Sequence, residues 1–337
     1  MANRHDILLH EEIIQRVRQD NCFDFLRYLF AFSLIVAHFC VLTDTEPIWF
    51  ISGTNRVKAF FTITGFLVTY SFLRRNCDIT SYARKRFRRI IPAYMVCIIA
   101  CLLLGMAVSS LGIADFLANG QTWKYLIANI SMLNWLEPEL PMTFQDNLAP
   151  QMNGSLWSMK QEVLFYCLVP ILMYIIGRTK RWTSLMMMAG CISVYYFMPV
   201  QVQYFVYFLS GMTLLLYFDL FMKHVRWLLP VSAVLFLFVG FFHVPVLSDV
   251  CFILEPVTFP MMLVGIAYCC KPLNVFRRFD NITYGLYLYH FPVIQCLILF
   301  GVVEYSKSLA LILAFVITAI PACVSWFWIE KPLMNKK

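Results

Sequence analysis

Ten apolar runs separated by short polar connectors leave this chain few ways to fold. They fall near 22–42, 57–73, 90–113, 157–177, 183–199, 202–218, 227–243, 251–270, 283–302 and 309–328. About 20 apolar residues in a helix cross a 30 Å hydrocarbon core, and some of these runs are short enough to end in the interface. Of the 337 residues, 61% are hydrophobic and 14% charged. A soluble domain of this length cannot hide that much apolar surface in one core, whereas lipid can solvate helix exteriors. The expected fold is an all-α integral membrane protein, a bundle of about ten transmembrane helices. No internal repeat, low-complexity tract or appended soluble domain interrupts it. One domain over 22–332 is expected, between an N-terminal segment (1–21) and a short tail (333–337).

The connectors orient this bundle. With the N-terminus in the cytoplasm, the inside loops collect Arg74 to Arg89, Arg178 to Arg181, Lys223 with Arg226, and Lys271 with Arg277 and Arg278. Lys331, Lys336 and Lys337 follow at the end. Outside loops hold Arg56, Lys58, Lys124 and Lys307. That bias follows the positive-inside rule and places both termini in the cytoplasm. The net charge of +8 therefore reads as topology rather than nucleic-acid binding. The first run lacks a small-residue cleavage site and holds Arg27, so a retained helix is expected. The longest connection, 114–156, falls outside, with Trp123 to Leu136 expected along the interface. Most of the twelve cysteines sit inside apolar runs without metal-ligand spacing, as small buried hydrophobes do.

An ionisable group inside a membrane helix is expensive unless it meets a partner or a wet cavity, which makes it a functional candidate. These are Asp24, Arg27 and His38 in the first run, Lys160 and Glu162 in the fourth, and His290 in the ninth. Arg27 and His38, three turns apart, share a face about 16 Å from end to end. Asp24 can pair with Arg27. Glu162 lies at the depth of His38, so the two suit a base and its orienter, or equally a pair stitching two helices together. His290 precedes Pro292, which frees backbone groups for polar side chains; it suits a structural hydrogen bonder as well as a catalytic group. Arg84-Lys85-Arg86-Phe87-Arg88-Arg89 anchors the topology, and its density also suits several phosphates or anionic headgroups.

Six motifs then share a resemblance. Phe23-Asp24-Phe25-Leu26-Arg27 with His38 resembles the opening of the acyltransferase 3 family of membrane acyltransferases. Phe60-Phe61-Thr62-Ile63-Thr64-Gly65-Phe66-Leu67 is similar to its Phe-Phe-x-x-Ser-Gly-Phe-Leu, with Thr64 in place of Ser. Lys85-Arg86-Phe87-Arg88-Arg89 resembles Arg-Arg-x-x-Arg, with Lys85 replacing the first Arg. Asn153-Gly154-Ser155-Leu156-Trp157 with Glu162 and Tyr166, Tyr284 to Pro292, and Ile329-Glu330-Lys331-Pro332 follow in order.

The resemblance implies transfer of an acyl group, most often acetyl, from cytoplasmic acyl-CoA to a sugar hydroxyl of an envelope polysaccharide or lipid-linked glycan, in the inner (plasma) membrane. Arg27, Lys85, Arg86 and Arg89 would hold the phosphates of coenzyme A, a donor substrate rather than a resident cofactor. His38 would act as general base with Glu162 as its orienter. Trp157, Tyr166, Tyr287 and His290 are expected to contact substrate or the oxyanion, and no metal is expected. A transporter or flippase of an envelope precursor is the alternative reading of the same intramembrane charges.

Overall fold

The computed structural model describes residues 15, 17, 21–46, 53–74, 77–179, 181–241 and 248–335. The expectations for the N-terminal segment up to residue 20, for Lys180 and for Lys336 and Lys337 fall outside them, apart from residues 15 and 17. Among the described residues every regular element is helical. The long helices are α1 (Phe23–Leu42), α2 (Gly53–Leu73) and α3 (Ile79–Val108). After short α4 (Ile113–Ala118) and α5 (Gly120–Ile130) come α6 (Trp157–Arg178), α7 (Trp182–Phe197), α8 (Pro199–Leu216), α9 (Phe218–Phe241) and α10 (Ser248–Cys269). The chain closes with α11 (Thr283–Leu299), α12 (Val302–Tyr305), α13 (Lys307–Val324), a π-turn at Ser325–Glu330 and α14 (Lys331–Asn335).

By length and apolarity, six spans among the described residues can cross a membrane, on α1, α3, α6, α9, α10 and α13 with its π-turn extension. A seventh counts if the 3₁₀ helix Lys271–Arg278 and α11, bent by 75°, form one span. The expectation of about ten also included α2, α7 and α8. Arg56, Lys58 and several hydroxyls make α2 more polar, α7 has 16 residues, and the apolar part of α8 is Val202–Leu216. The chain is a multi-pass membrane protein.

Two elements start well before their apolar runs. Asp78 caps α3, its carboxylate accepting the N–H groups of Thr80 at 3.1 Å and Ser81 at 3.2 Å, so the helix begins at 79. The basic cluster is therefore helical and amphipathic. Tyr82, Arg86, Arg89, Ala93, Cys97 and Cys101 recur at helical spacing along one face, and four of the six are buried. α2 likewise begins at Gly53, which puts Arg56 and Lys58 inside a helix.

The chain divides into two compact units. One comprises residues 1–27, 54–83 and 164–279. Within it α2 and α8 touch backbone to backbone through two glycines. A Cβ on Gly65 would lie 2.1 Å from the Phe208 carbonyl oxygen, and one on Gly211 2.1 Å from that of Thr62. Small residues allow this approach in membrane bundles, and the carbonyls cannot step aside. Gly65→Ala should therefore cost about 1–3 kcal/mol, read as a lower melting temperature in detergent; an unchanged value would refute the close contact.

The second unit comprises residues 28–53, 84–163 and 280–337. α11 lies against α13 where a Cβ on Gly285 would come within 2.6 Å of Ala322 Cα. α3 is tied to α11 by Tyr284, whose hydroxyl donates to the Ile90 carbonyl at 3.2 Å. Asp280, just before α11, accepts from Trp326 Nε1 and Lys331 Nζ, both at 2.9 Å. Those two donors hold its exposed carboxyl below the usual carboxylate range. The 109–156 connection is an ordered frame. Asn119 caps α5, the Tyr94 hydroxyl donates to Asn129 O at 2.8 Å, and Gln295 on α11 donates to the carbonyls of Ala149 and Gln151. α5 exposes Trp123, Ile127 and Ile130, an apolar side of the kind an interfacial helix presents.

Candidate active site

The second unit brings two intramembrane imidazoles together. His38 on α1 and His290 on α11 stack with ring planes 3° apart and centroids 4.9 Å apart. His38 Nδ1 lies 2.6 Å from His290 Nε2, and His290 Nδ1 lies 3.0 Å from the Leu286 carbonyl oxygen. Hydrogen-bond logic then assigns the tautomers. A carbonyl only accepts, so His290 Nδ1 carries its proton. Neutral His290 therefore presents an Nε2 lone pair, so His38 Nδ1–H is the donor between the rings. Neutral His38 consequently carries its own lone pair on Nε2. The α11 carbonyl thus fixes, through His290, which nitrogen of His38 is basic. Phe291 packs edge-on against His38 at 5.5 Å.

Proline explains the neighbouring polar groups. Pro292 has no N–H to offer the carbonyl of Leu288 four residues back. Asn153 fills that place, its Nδ2 donating to Leu288 O at 2.8 Å, with Cys97 Sγ at 3.4 Å. The other end of the same amide, Oδ1, accepts from Ser155 Oγ at 2.6 Å and Ser155 N at 3.3 Å. One buried side chain therefore caps the entry to α6 and repairs the break in α11. Tyr287 donates its hydroxyl proton to the Ser155 carbonyl, so Ser158 Oγ, 3.0 Å away, must donate to Tyr287. That proton is committed, which removes Tyr287 as a ready oxyanion donor.

The cations of α3 share this unit. Arg86 and Arg89 are half-buried on the inward face of the helix and Lys85 is exposed. Arg89 lies in electrostatic range of Glu330, which is 2% exposed and accepts from Ser325 Oγ at 2.9 Å. The motif near the C-terminus thus backs the arginine cluster. From Arg86 to Cys97, which touches Leu288, α3 rises about 16 Å.

The other expected site residues are placed as follows. Glu162 is buried on the second turn of α6, within electrostatic range of Tyr284 and Tyr287. The His38 nitrogen that an orienter would hold, Nδ1, meets His290 instead. Trp157 opens α6 and is half-buried. Arg27 pairs with Asp24 at 3.0 Å and, with Tyr166, belongs to the first unit. Among the described residues no cluster of three or more His, Cys, Asp or Glu could hold a metal ion. Sequence reasoning missed Asn153 as the partner of Leu288. It also missed a buried ion pair of the first unit, Lys58 Nζ to Glu255 Oε1 at 2.7 Å, with Lys58 over the Tyr207 ring. Both residues lie within apolar runs, at 57–73 and 251–270, and that placement was the available signal.

Comparison with known proteins places the chain in a family. The acyltransferase 3 family model, described as an acyltransferase domain, matches residues 20–330. An O-acetyl transferase of Shigella phage Sf6 is 26% identical over 95% of this chain and 98% of its own length. Nodulation protein 10 of Rhizobium leguminosarum bv. viciae is 27% identical over 94% and 93%. The O-acetyltransferase OatA of Staphylococcus aureus (strain NCTC 8325 / PS 47) is 20% identical over 86% of this chain and 54% of its own. No solved structure matches. With nearly its whole length matched, a multi-pass fold and polar groups gathered inside its helices, the chain belongs to the acyltransferase 3 family of membrane acyltransferases.

Proposed function

We propose that the protein is an O-acetyltransferase that moves an acetyl group from acyl-CoA to a sugar hydroxyl of an envelope glycan or lipid-linked sugar. The observation that carries this reading is the His290–His38 relay, which leaves a basic nitrogen inside a membrane helix. Two of the similar proteins bear acetyltransferase names, which supports the acetyl group. In this proposal the chain lies in the plasma membrane with both termini cytoplasmic, so that the α3 cluster faces the cytoplasm. Arg86 and Arg89 would grip coenzyme A phosphates bidentately, and Lys85 would add a point charge.

His38 Nε2 takes the proton of the acceptor hydroxyl while that oxygen attacks the thioester carbonyl. The tetrahedral intermediate collapses, the C–S bond breaks, and the coenzyme A thiolate receives the proton from the His38 imidazolium. His290 holds the tautomer, the role an acid has in a catalytic triad. Glu162 supplies negative charge in the same unit to stabilise the imidazolium. With Tyr287 committed, the indole N–H of Trp157, a donor only, is the best candidate for the oxyanion.

The test needs no knowledge of the acceptor. Thermal stabilisation of the detergent-purified protein by acetyl-CoA should be saturable, and Arg86→Ala/Arg89→Ala should weaken it at least tenfold, as loss of charge-assisted phosphate contacts predicts. Absence of stabilisation at millimolar acetyl-CoA in folded protein would sink the reading.

A further inference from the structure

Within the second unit, Gly154 has no room for a side chain, although it opens a 3₁₀ turn with ordinary backbone torsions. Space therefore demands the glycine. A Cβ there would lie 2.7 Å from Phe291 Cζ and 2.9 Å from Phe291 Cε2, with Gln151 Oε1 nearer still at 2.2 Å. The glutamine tip could swing away, but the phenyl ring is confined. Phe291 is 5% exposed, and it also meets His38 with centroids 5.5 Å apart and ring planes at 74°. Pro292 fixes the next backbone torsion. Gly154 is held in turn, because Asn153 before it donates to Leu288 O and Ser155 after it donates to Asn153 Oδ1. The ring is thus seated between the entry to α6 and the imidazole of α1.

Acyl transfer at His38 brings the acyl group into the same shell. The acceptor oxygen sits about 3 Å from His38 Nε2 and attacks a carbonyl carbon about 3 Å further on. One more bond puts the first carbon of the acyl chain within about 8 Å of that nitrogen. Phe291 occupies part of that shell. It arrives there beside His290, the preceding residue of α11, which takes the Nδ1 side of His38. An apolar wall next to the reacting carbonyl, with a close-packed glycine behind it, limits how much hydrocarbon can follow that carbonyl. Selection by a pocket of this kind is worth about 10–200-fold per methylene.

We propose, on the basis of the function assigned above, that Phe291 is a specificity-determining residue. Its ring, seated by Gly154 against His38, fits the site to the two-carbon acetyl group and excludes longer acyl groups. Gly154 acts through Phe291 as a positioning residue.

Membrane vesicles containing the full chain are supplied with radiolabelled acetyl-CoA, propionyl-CoA or butyryl-CoA, and label in the envelope fraction gives kcat/KM for each donor. The readout is the butyryl-to-acetyl ratio, which cancels the folded fraction of each variant and which a merely structural role would not move. Phe291→Leu should raise that ratio about tenfold over wild type, and Phe291→Ala about 100-fold. Gly154→Ala should lower acetyl transfer about 10–100-fold, through kcat rather than KM, because the displaced ring presses on His38. Adding Phe291→Leu to Gly154→Ala should restore most of that loss. Wild type that transfers no label from any donor overturns the proposed function and the role of Phe291 together. Wild type that transfers acetyl while the ratio stays unchanged in both Phe291 variants overturns the role of Phe291 alone. So does wild type that uses butyryl-CoA as well as acetyl-CoA, or a Phe291→Leu variant inactive with every donor.

Discussion

His38→Gln should reduce acetyl transfer about 10²–10⁴-fold, the usual contribution of a positioned general base, while leaving the melting temperature nearly unchanged. The distinction rests on hydrogen bonding. The His38 Nδ1–H donates to His290 Nε2 at 2.6 Å, and His290 is fully buried. A glutamine amide can replace that donor but offers no basic nitrogen. His38→Ala removes both, so it should lose activity and about 1–3 kcal/mol of stability through the stranded acceptor. Radiolabelled acetyl transfer and thermal unfolding in detergent, measured side by side, separate the two effects. A His38→Gln enzyme with near-wild-type turnover would remove His38 from the chemistry.

Asn153→Ala should be among the most destabilising single substitutions in the chain, by about 3–5 kcal/mol, because several buried groups lose their partner together. Leu288 O loses its replacement for the N–H that Pro292 lacks, and Ser155 loses the acceptor for both its hydroxyl and its amide. Asn153→Asp keeps that acceptor, yet it sets a carboxylate against the Leu288 carbonyl and should be no better. The break lies two residues from His290, so turnover should fall in whatever fraction of either variant folds. Unfolding of Asn153→Ala at the wild-type temperature would show that water replaces the amide without penalty.

Much of this architecture is written in local pattern. Hydrophobic runs locate the long helices, because apolarity over a helix length is a property of contiguous residues. The role of Pro292 in freeing a backbone carbonyl is also local, and only the identity of its partner, Asn153, required the fold. Adjacency between helices is another matter. Depth in the bilayer pairs His38 with Glu162 as readily as with His290, and spacing along one helix says nothing about which helix stands beside it. Helix starts were obscured for a different reason. The first turns of α2 and α3 are polar, so an apolar window misses them, and Arg56 and Arg86 look like loop charges. The glycines of the Phe60–Leu67 motif and of α8 are a further case: each is unremarkable alone, and their mutual contact with a facing backbone is a tertiary fact.

The central claim is that His290 acts through His38, and a double-mutant cycle tests it most directly. Acetyl transfer from radiolabelled acetyl-CoA into the envelope fraction of membrane vesicles is compared for wild type, His38→Ala, His290→Ala, and the double variant. His290→Gln is included because its carbonyl can still accept from His38 Nδ1–H. Loss of the correct tautomer should cost His290→Ala about 10²–10⁴-fold, with part recovered in His290→Gln. Groups that act as one unit are strongly non-additive, so the double variant should be no slower than His38→Ala. A double variant slowed by the product of the two single losses would show independent roles and contradict the relay.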